Sequence, residues 1–555
     1  MKRSVIVTMS IMILFSICFA QPTIEWQKCL GGSSWDEAES IQQTFDGGFI
    51  VAGWTKSDDG DVSGYHGCGG GGCTLRGDYW VVNLETEGLG SIAWQKCLGG
   101  SLGEGAYSIQ QTSDGGFIVA GHSYSNDDDV SGHHGSTDDE DWWVVKLDVV
   151  GSIEWQRSLG GSERDWAYSI QETSDGGFIV AGWVSSNDGD VSGLHGLPAY
   201  DGDCWVVKLN AVGSIEWQKC FGGTSGDNAT SIQQTSDGGY IVAGLSCSND
   251  GDVTGHHGSA DCADYWVVKL NSAGDIIWQK SLGGSGHDYP YSIQQTSDGG
   301  YVVAGYSNSE DGDVTGNHGY YDYWVVKLDS SGTLEWQKSL GGGSNDIGKS
   351  MLQTSDGGYI IAGMSNSDDG DVTGNHGGSD YWVVKLNSSG DIVWQKCLGG
   401  SDDDFARSIQ QTFDGGYIIA GTSNSDDGDV SGHHGIAGDY SAKDYWVVKL
   451  SPETGISEHF TPQKLAISVS PNPFNSAVTI SAPEGAAIEI FDLNGRMVDN
   501  NPVGDGFPVP SANGRGDLAP TNVLWQPDAS LGSGVYLVRA KIGDKDITKR
   551  VVYLK

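Results

Sequence analysis

Proline is scarce in this chain, at 13 of 555 residues, and so are cations, at 30 Lys and Arg against 73 Asp and Glu. The resulting formal net charge of −43 works against nucleic acid and anionic membrane surfaces and favours cations and basic partners. No window sustains a 3.6-residue apolar period, so helix is not expected. Past residue 20 no apolar run approaches the roughly 20 residues a membrane-crossing helix needs. His-Glu-x-x-His, Cys-x-x-Cys and zinc-ligand spacing are all missing, which removes the common local signatures of metalloprotease and zinc chemistry. The chain is instead rich in Gly (86), Trp (20) and Tyr (22). That aromatic content excludes a disordered chain, which lacks the apolar surface to offset its entropy.

Residues 1–20 read as a secretory signal peptide: Lys2 and Arg3 open it, Val5 to Phe19 is mostly apolar, and Ala20 is the small residue that cleavage prefers. Nine cysteines remain in a compartment that permits disulfides. Cys68 and Cys73 flank a Gly run in one loop and can pair, as can Cys247 and Cys262 across another. Cys29, Cys97, Cys220 and Cys397 fill a repeat position that is Ser158, Ser281 and Ser339 elsewhere, which reads as small packing residues. Residues 462–555 carry nine basic and nine acidic residues, so the acidity belongs to the repeats and the chain divides in two.

The dominant feature is a repeat with a period near 60 residues. Trp-Gln-Lys/Arg begins at Trp26, Trp94, Trp155, Trp217, Trp278, Trp336 and Trp394, and a second Trp recurs at Trp80, Trp143, Trp205, Trp266, Trp324, Trp382 and Trp446. Such a period signals a propeller, solenoid or array. Each unit reads as four short strands: Ser-Ile-Gln-Gln-Thr, then segments like Gly357 to Gly363, Tyr381 to Leu386 and Ile392 to Lys396. Asp-Gly within Ser-Asp-Gly-Gly suits a tight hairpin between the first two. Seven such units predict an all-β, seven-bladed propeller of four-stranded blades over residues 21–450. The repeats open with a lone fourth strand, Ile24 to Lys28, and end on three strands lacking a fourth, so pairing the two closes the ring.

The pattern LGGSxxDxAxSIQQTSDGGYIVAGxSxSxDGDV…DYWVVKL resembles the bacterial SBBP-type β-propeller repeats, departing from them in the Trp of the third strand. The resemblance implies the fold and no established activity. Residues 451–464 read as a linker, and residues 465–555 as a small β-sandwich of about seven strands with a turn at Asn494-Gly495. Pro471-Asn472-Pro473, the hairpin around Asp492 to Val498, Gly534-Val535-Tyr536 and the basic final strand are similar, in order, to the type A C-terminal sorting domain of type IX secretion. That resemblance implies a Bacteroidetes-like source, handling by the type IX machinery, and release at or anchoring to the outer-membrane surface. Residues 502–527 form an insertion holding Arg515-Gly516-Asp517, an integrin-type tripeptide that is also common by chance.

The candidate chemistry sits in two loop sets expected to share one strongly acidic face. One carries a carboxylate before each first strand: Asp36, Glu104, Asp165, Asp227, Asp288, Asp346 and Asp404. The other carries Asp-x-Asp-Val-[Ser/Thr]-Gly-x-His-Gly seven times, with Asp59/Asp61, Asp127/Asp129, Asp188/Asp190, Asp250/Asp252, Asp311/Asp313, Asp369/Asp371 and Asp427/Asp429. These pairs are candidate calcium ligands, since hard cations take several oxygens; alternatively they build turns through Asx hydrogen bonds. His66, His134, His195, His257, His318, His376 and His434 are metal ligands or proton carriers on one reading, and caps of their own loops on the other. The Trp pairs offer sugar-stacking faces, but their place beside Val and Leu points to core packing. Loop aromatics Tyr65, Tyr124, Tyr200 and Tyr320 are the surface candidates. Near-identical blades scatter one group around a ring, whereas catalysis gathers unlike groups at one point. The leading expectation is therefore an exported or surface-bound monomeric scaffold for a glycan, a protein or a cation. The rival is an extracellular polysaccharide lyase or hydrolase with its site among the unequal loops at Cys68 to Arg76, Leu197 to Asp203 and Ile436 to Lys443, and a third option is a structural spacer.

Overall fold

The computed structural model describes residues 21–453 except 68–76, 86–89, 198–201, 260–261 and 437–440, and thereafter the strands of the C-terminal region with residues 527 and 531. The signal peptide, most of the linker, Cys68, Cys73, Tyr200 and the Arg515-Gly516-Asp517 tripeptide lie outside the described residues. The chain divides into two units, Met1–Gly455 and Ile456–Lys555.

Among the described residues every element is a strand, and in the first unit they make seven four-stranded antiparallel sheets. Blade 1 runs from the inner strand Asp36–Gln43 through Phe49–Thr55 and Asp78–Leu84 to the outer strand Ile92–Leu98. The last blade is composite. Its inner three strands, Asp404–Gln411, Tyr417–Ser423 and Asp444–Leu450, take Ile24–Leu30 from the chain start as the fourth. The pairing is antiparallel, with Ile24 opposite Leu450 and Cys29 opposite Trp446. The ring therefore closes as expected, and every blade has its four strands, which leaves only short edges.

The Ser-Asp-Gly-Gly segment forms a tight turn in which Gly357 sits at φ +82°, a left-handed value that favours glycine. The second strand needs Gly53 for a different reason. A Cβ there would lie 1.9 Å from the carbonyl of Glu37 and 2.8 Å from Oη of Tyr445 in the neighbouring blade.

Aromatic pairs cement the seams between blades. Tyr323 packs on Trp382 with centroids 4.6 Å apart and donates its hydroxyl to the Trp382 carbonyl at 2.9 Å. The same device joins Tyr79 to Trp143, Tyr265 to Trp324 and Tyr381 to Trp446. At one seam Cys204 replaces the aromatic, buried in the cluster that holds Trp266. The third-strand Trp side chains are buried, with Trp80, Trp143 and Trp324 at 0% exposure. They are core residues, not platforms. Cys29, Cys97, Cys220 and Cys397 are buried thiols. Cys247 and Cys262 are half-buried, and Cys262 Sγ accepts from Ser259 Oγ at 3.7 Å.

The second unit holds two four-stranded antiparallel sheets. One is ordered Ser468–Ser470, Val478–Ala482, Thr521–Trp525, Val503–Gly504; the other Met497–Asp499, Ala487–Asp492, Gly534–Ile542, Lys545–Tyr553. Trp525 and Tyr536, one from each sheet, meet edge-on with centroids 5.4 Å apart.

Candidate functional site

The inner strand starts earlier than its Ser-Ile-Gln-Gln core suggests, at the carboxylate. Asp36, Glu104, Asp165, Asp227, Asp288, Asp346 and Asp404 are thus not loop residues on a face but buried strand residues. Asp36 Oδ2 accepts the Gly32 N–H at 2.8 Å and the Ser57 hydroxyl at 2.8 Å. These bonds make burial tolerable. Burial still pushes Asp36, Glu104, Asp165 and Asp404 up to about 7, and Asp288 and Asp346 to about 6.

The expectation of a single acidic face is corrected in a second respect. Asp114, Asp175, Asp237, Asp298, Asp356 and Asp414 stand at the opposite end, in the Ser-Asp-Gly-Gly turns or their Phe-Asp-Gly-Gly equivalent. There each meets the third-strand lysine, as Lys146 Nζ meets Asp114 at 3.1 Å and Lys385 Nζ meets Asp356 at 2.8 Å. Carboxylates occupy both ends of the ring, and those at the turn end are paired.

The Asp-x-Asp loops are held by their own residues. Asp59 Oδ1 accepts the Ser33 N–H at 2.7 Å, and Asp127, Asp188, Asp250, Asp311, Asp369 and Asp427 accept the equivalent N–H at 2.6–2.8 Å. The second Asp of each pair ties the loop back through its backbone. The N–H groups of Asp61, Asp129, Asp190, Asp252, Asp313, Asp371 and Asp429 donate to the carbonyls of Gly31, Gly99, Gly160, Gly222, Gly283, Gly341 and Gly399 at 2.8–3.1 Å.

Each histidine caps its loop. The backbone N–H of His66 donates to Asp78 Oδ2 at 2.9 Å, and Nδ1 lies 2.7 Å from the same oxygen. All seven histidines repeat this with the first residue of the third strand. Five also reach the second Asp of the next blade's loop. His66 Nε2 stands 3.8 Å from Asp129, His134 Nε2 3.8 Å from Asp190 and His195 Nε2 3.8 Å from Asp252. His257 Nε2 stands 3.9 Å from Asp313, and His434 Nε2 3.6 Å from Asp61. The histidines form a belt between blades.

The fourteen aspartates of the calcium reading are engaged in contacts within and between the loops. Asp59, Asp127, Asp188, Asp250, Asp311, Asp369 and Asp427 are each spent on a loop N–H. Asp61, Asp129, Asp190, Asp252 and Asp313 each face an imidazole of the preceding blade. Among the described residues no group of three or more His, Cys, Asp or Glu side chains converges as a metal-holding cluster.

Unlike groups do converge, at a place the sequence reading passed over. In every inner strand the register slips across the residue before the constant Ser, as between Ala38 and Ser40, with Pro290 and Gly348 standing in place of the Ala in two blades. This β-bulge re-aims the intervening residue, while the Ser hydroxyl accepts an inner-strand N–H of the next blade (Ile109 N–H to Ser40 Oγ, 3.3 Å). The residues so placed are Glu39, Tyr107, Tyr168, Thr230, Tyr291, Lys349 and Arg407, one per blade, and all seven line a single cavity of about 390 Å³. Below it, Ile41, Gln42 and their equivalents line a second of about 260 Å³. There each Gln side chain accepts an N–H of the next blade, Gln42 from Gln111 at 2.5 Å. Leu352 replaces the Gln in blade 6 and interrupts this ring.

The cavity wall is aromatic and charged. Tyr107 and Tyr168 have centroids 5.2 Å apart, and Tyr289 stacks on Tyr306 at 5.1 Å and 21°. Arg407 ion-pairs with Glu37 and brings Nε within 3.8 Å of Glu39. Burial would raise Glu37, but Arg407 holds it low. Burial raises Glu39, with Arg407 pulling against it, and burial lowers Lys349. Lys349 Nζ lies 3.4 Å from the centroid of the Tyr291 ring. At the rim, Trp35 takes Lys56 Nζ at 5.0 Å and Lys443 Nζ at 4.6 Å and donates Nε1 to Glu37 at 3.0 Å. His122, pushed down to about 4 by burial, is neutral and faces Tyr107.

Outside the two repeated Lys/Arg positions, the cations of residues 21–450 are Lys56, Arg76, Arg164, Lys349, Arg407 and Lys443. Arg76 is outside the described residues. Lys56, Lys349, Lys443 and Arg407 gather at this cavity and its rim, and Arg164 lines an adjoining pocket with Trp166 and Tyr168. A signal that could have found the site was the strongly variable residue before the constant Ser of each inner strand. Of the loop aromatics, Tyr124 lines a pocket beside His122 and Tyr107, whereas Tyr320 is exposed.

Residues 468–506 match the family described as secretion system C-terminal sorting domain. Regulatory protein FlaEY of Caulobacter vibrioides is 24% identical over 317 residues, 51% of this chain and 32% of its own length. The chain thus spans about a third of that relative. Two solved structures of puromycin hydrolase are similar at 10% and 11% identity, with TM-scores of 0.41 and 0.40, covering 81% and 88% of this chain and 59% and 62% of theirs. The sorting domain marks the protein for export by type IX secretion to the cell surface or the extracellular space. Among the described residues no helix is long and apolar enough to cross a membrane.

Proposed function

We propose that this exported propeller is a binding protein whose ligand enters the axial cavity. The observation that carries the reading is the convergence there of Glu39, Tyr107, Tyr168, Thr230, Tyr291, Lys349 and Arg407, a position at which the inner strands differ strongly. A mostly preformed hollow with ring faces and a few placed polar groups is the usual form of a small-ligand site. The rim cations support it, because in so acidic a chain their clustering is a local reversal of charge. Thermal-shift screening of the full chain against saccharides, peptides and small metabolites tests the proposal, with Thr230→Trp as a cavity-filling variant. Stabilising ligands that lose their effect in Thr230→Trp support it. Ligands unaffected by that variant, or none at all, overturn it.

A second reading, an extracellular polysaccharide lyase or hydrolase, is favoured by one specific feature. Burial moves Glu39 and Lys349 in opposite directions, both toward neutrality, as acid–base chemistry requires. Turnover in a polysaccharide-degradation screen, abolished by Glu39→Gln, would establish it over binding alone.

A further inference from the structure

We infer that the ligand of the axial cavity is an acidic saccharide, held through its anionic group by Lys349 and through its ring faces by Tyr107, Tyr168 and Tyr291. This rests on the axial-site reading above and specifies its ligand class.

The two cations of the cavity are not equivalent. Arg407 is already engaged by Glu37 and lies close to Glu39. Lys349 has no ion-pair partner among the described residues, and its ammonium rests only on the Tyr291 ring, 3.4 Å from the centroid. A half-buried ammonium with no carboxylate in direct contact is costly; burial and Arg407 lower it, and Glu39 and Glu37 act on it only from a distance. An anion delivered by a ligand would restore the charged form and complete the pair. The geometry thus leaves one position open to an anionic group.

The remainder of the wall suits a sugar. Tyr107 and Tyr168 line the hollow with their rings tilted by 43° to each other, and their hydroxyls and Thr230 intersperse polar atoms with ring carbon. A pyranose has the matching character, with C–H patches on its faces and hydroxyls around its edge. The volume of about 390 Å³ lies at the low end of the roughly 300–1,000 Å³ usual for ligand pockets, enough for one or two rings. The net charge of −43 adds a kinetic signature. It repels a free anion at long range, and salt screens that repulsion within about 10 Å at 0.1 M. Association of an acidic sugar should therefore speed up as salt rises from low to physiological, the reverse of ordinary steering.

A carboxylate and a sulfate supply the same charge, and the test separates them. Isothermal titration of the full chain would use glucuronate, galacturonate and mannuronate disaccharides, their neutral methyl esters, and a sulfated galactose disaccharide. The expected result is binding of a uronate or of the sulfated sugar at least roughly tenfold tighter than its neutral counterpart. Lys349→Met should erase that preference while Lys349→Arg keeps it, with melting curves confirming that both variants are folded. Equal binding of acid and ester, lost in Thr230→Trp, overturns the ligand class and leaves the axial site standing. Binding that survives Thr230→Trp overturns the axial site itself. No binding by any of these sugars overturns the acidic-saccharide assignment, and the axial site is then judged by the wider screen.

Discussion

The hydroxyl of Tyr445, in the last blade, donates to the backbone carbonyl of Trp80, in the first, at 3.0 Å. Their rings pack with centroids 4.6 Å apart. The closing seam is therefore built like the internal ones. Tyr445→Phe should cost about 1 kcal/mol, the net worth of one buried hydrogen bond. Tyr323→Phe at an internal seam should cost about the same. Chemical denaturation of both variants checks the equivalence, and a much smaller effect at Tyr445 would show that the ring is not closed in solution. Removing residues 21–30, which supply the outer strand of that blade, should lower the melting temperature far more than either substitution.

Stability should peak in mild acid. Asp36, Glu104, Asp165 and Asp404 titrate near 7 in the folded chain because they are buried, above their unfolded values. Their contribution is present below the unfolded pKa and is lost as pH rises through 7. The bond to Asp444 raises His434, whose contribution is likewise lost as pH rises. Asp175 and Asp298 are held down to about 2, chiefly by the Thr173 and Thr296 hydroxyls, and their contribution fades as pH falls toward 2. Melting temperature against pH should be highest near pH 4 and fall as pH rises from there toward 7. A steady rise from pH 5 to 8 would contradict this.

Replacing a belt histidine tests the capping role. His66→Ala leaves the buried Asp78 short of a donor and should cost roughly 1–3 kcal/mol, with faster proteolysis in the loop from Ser57 to Gly77. Calcium at millimolar concentration should leave the melting temperature of the wild-type chain within about 1 °C. A larger, EDTA-reversible rise would restore the aspartate pairs as metal ligands.

Export should depend on the second unit. A chain ending at Gly455 should reach the periplasm of a type IX-competent host and remain there, whereas the full chain appears at the surface or in the medium. Fractionation and surface proteolysis distinguish the two, and release of the shortened chain would overturn the role of residues 468–506.

Much of the fold was legible because it repeats. Trp-Gln-Lys/Arg and the second Trp marked seven units, and the unaccompanied strand from Ile24 announced the closure. The seven histidines could be read as caps, but Asp78 as the partner of His66 could not, since that bond depends on where the third strand begins after loops of unequal length. The partner of Asp190 was equally out of reach, because His134 comes to it from the preceding blade. The cavity was hidden for a related reason. Glu39, Tyr107 and Lys349 occupy one repeat position, and attention to what the blades share conceals a position at which they differ.

By itself the sequence determined the strands, their number and their grouping into blades, because alternation, turn residues and period are local properties of the chain. It also determined the sorting domain, whose signature is read in order along the chain. Only the tertiary structure decided that the inner-strand carboxylates are buried and that seven single residues share one hollow. Burial depends on what the neighbouring blade covers, and convergence depends on the closing of the ring and on a bulge that turns Glu39 and its equivalents inward. Residues about 60 positions apart meet only once the circle is complete.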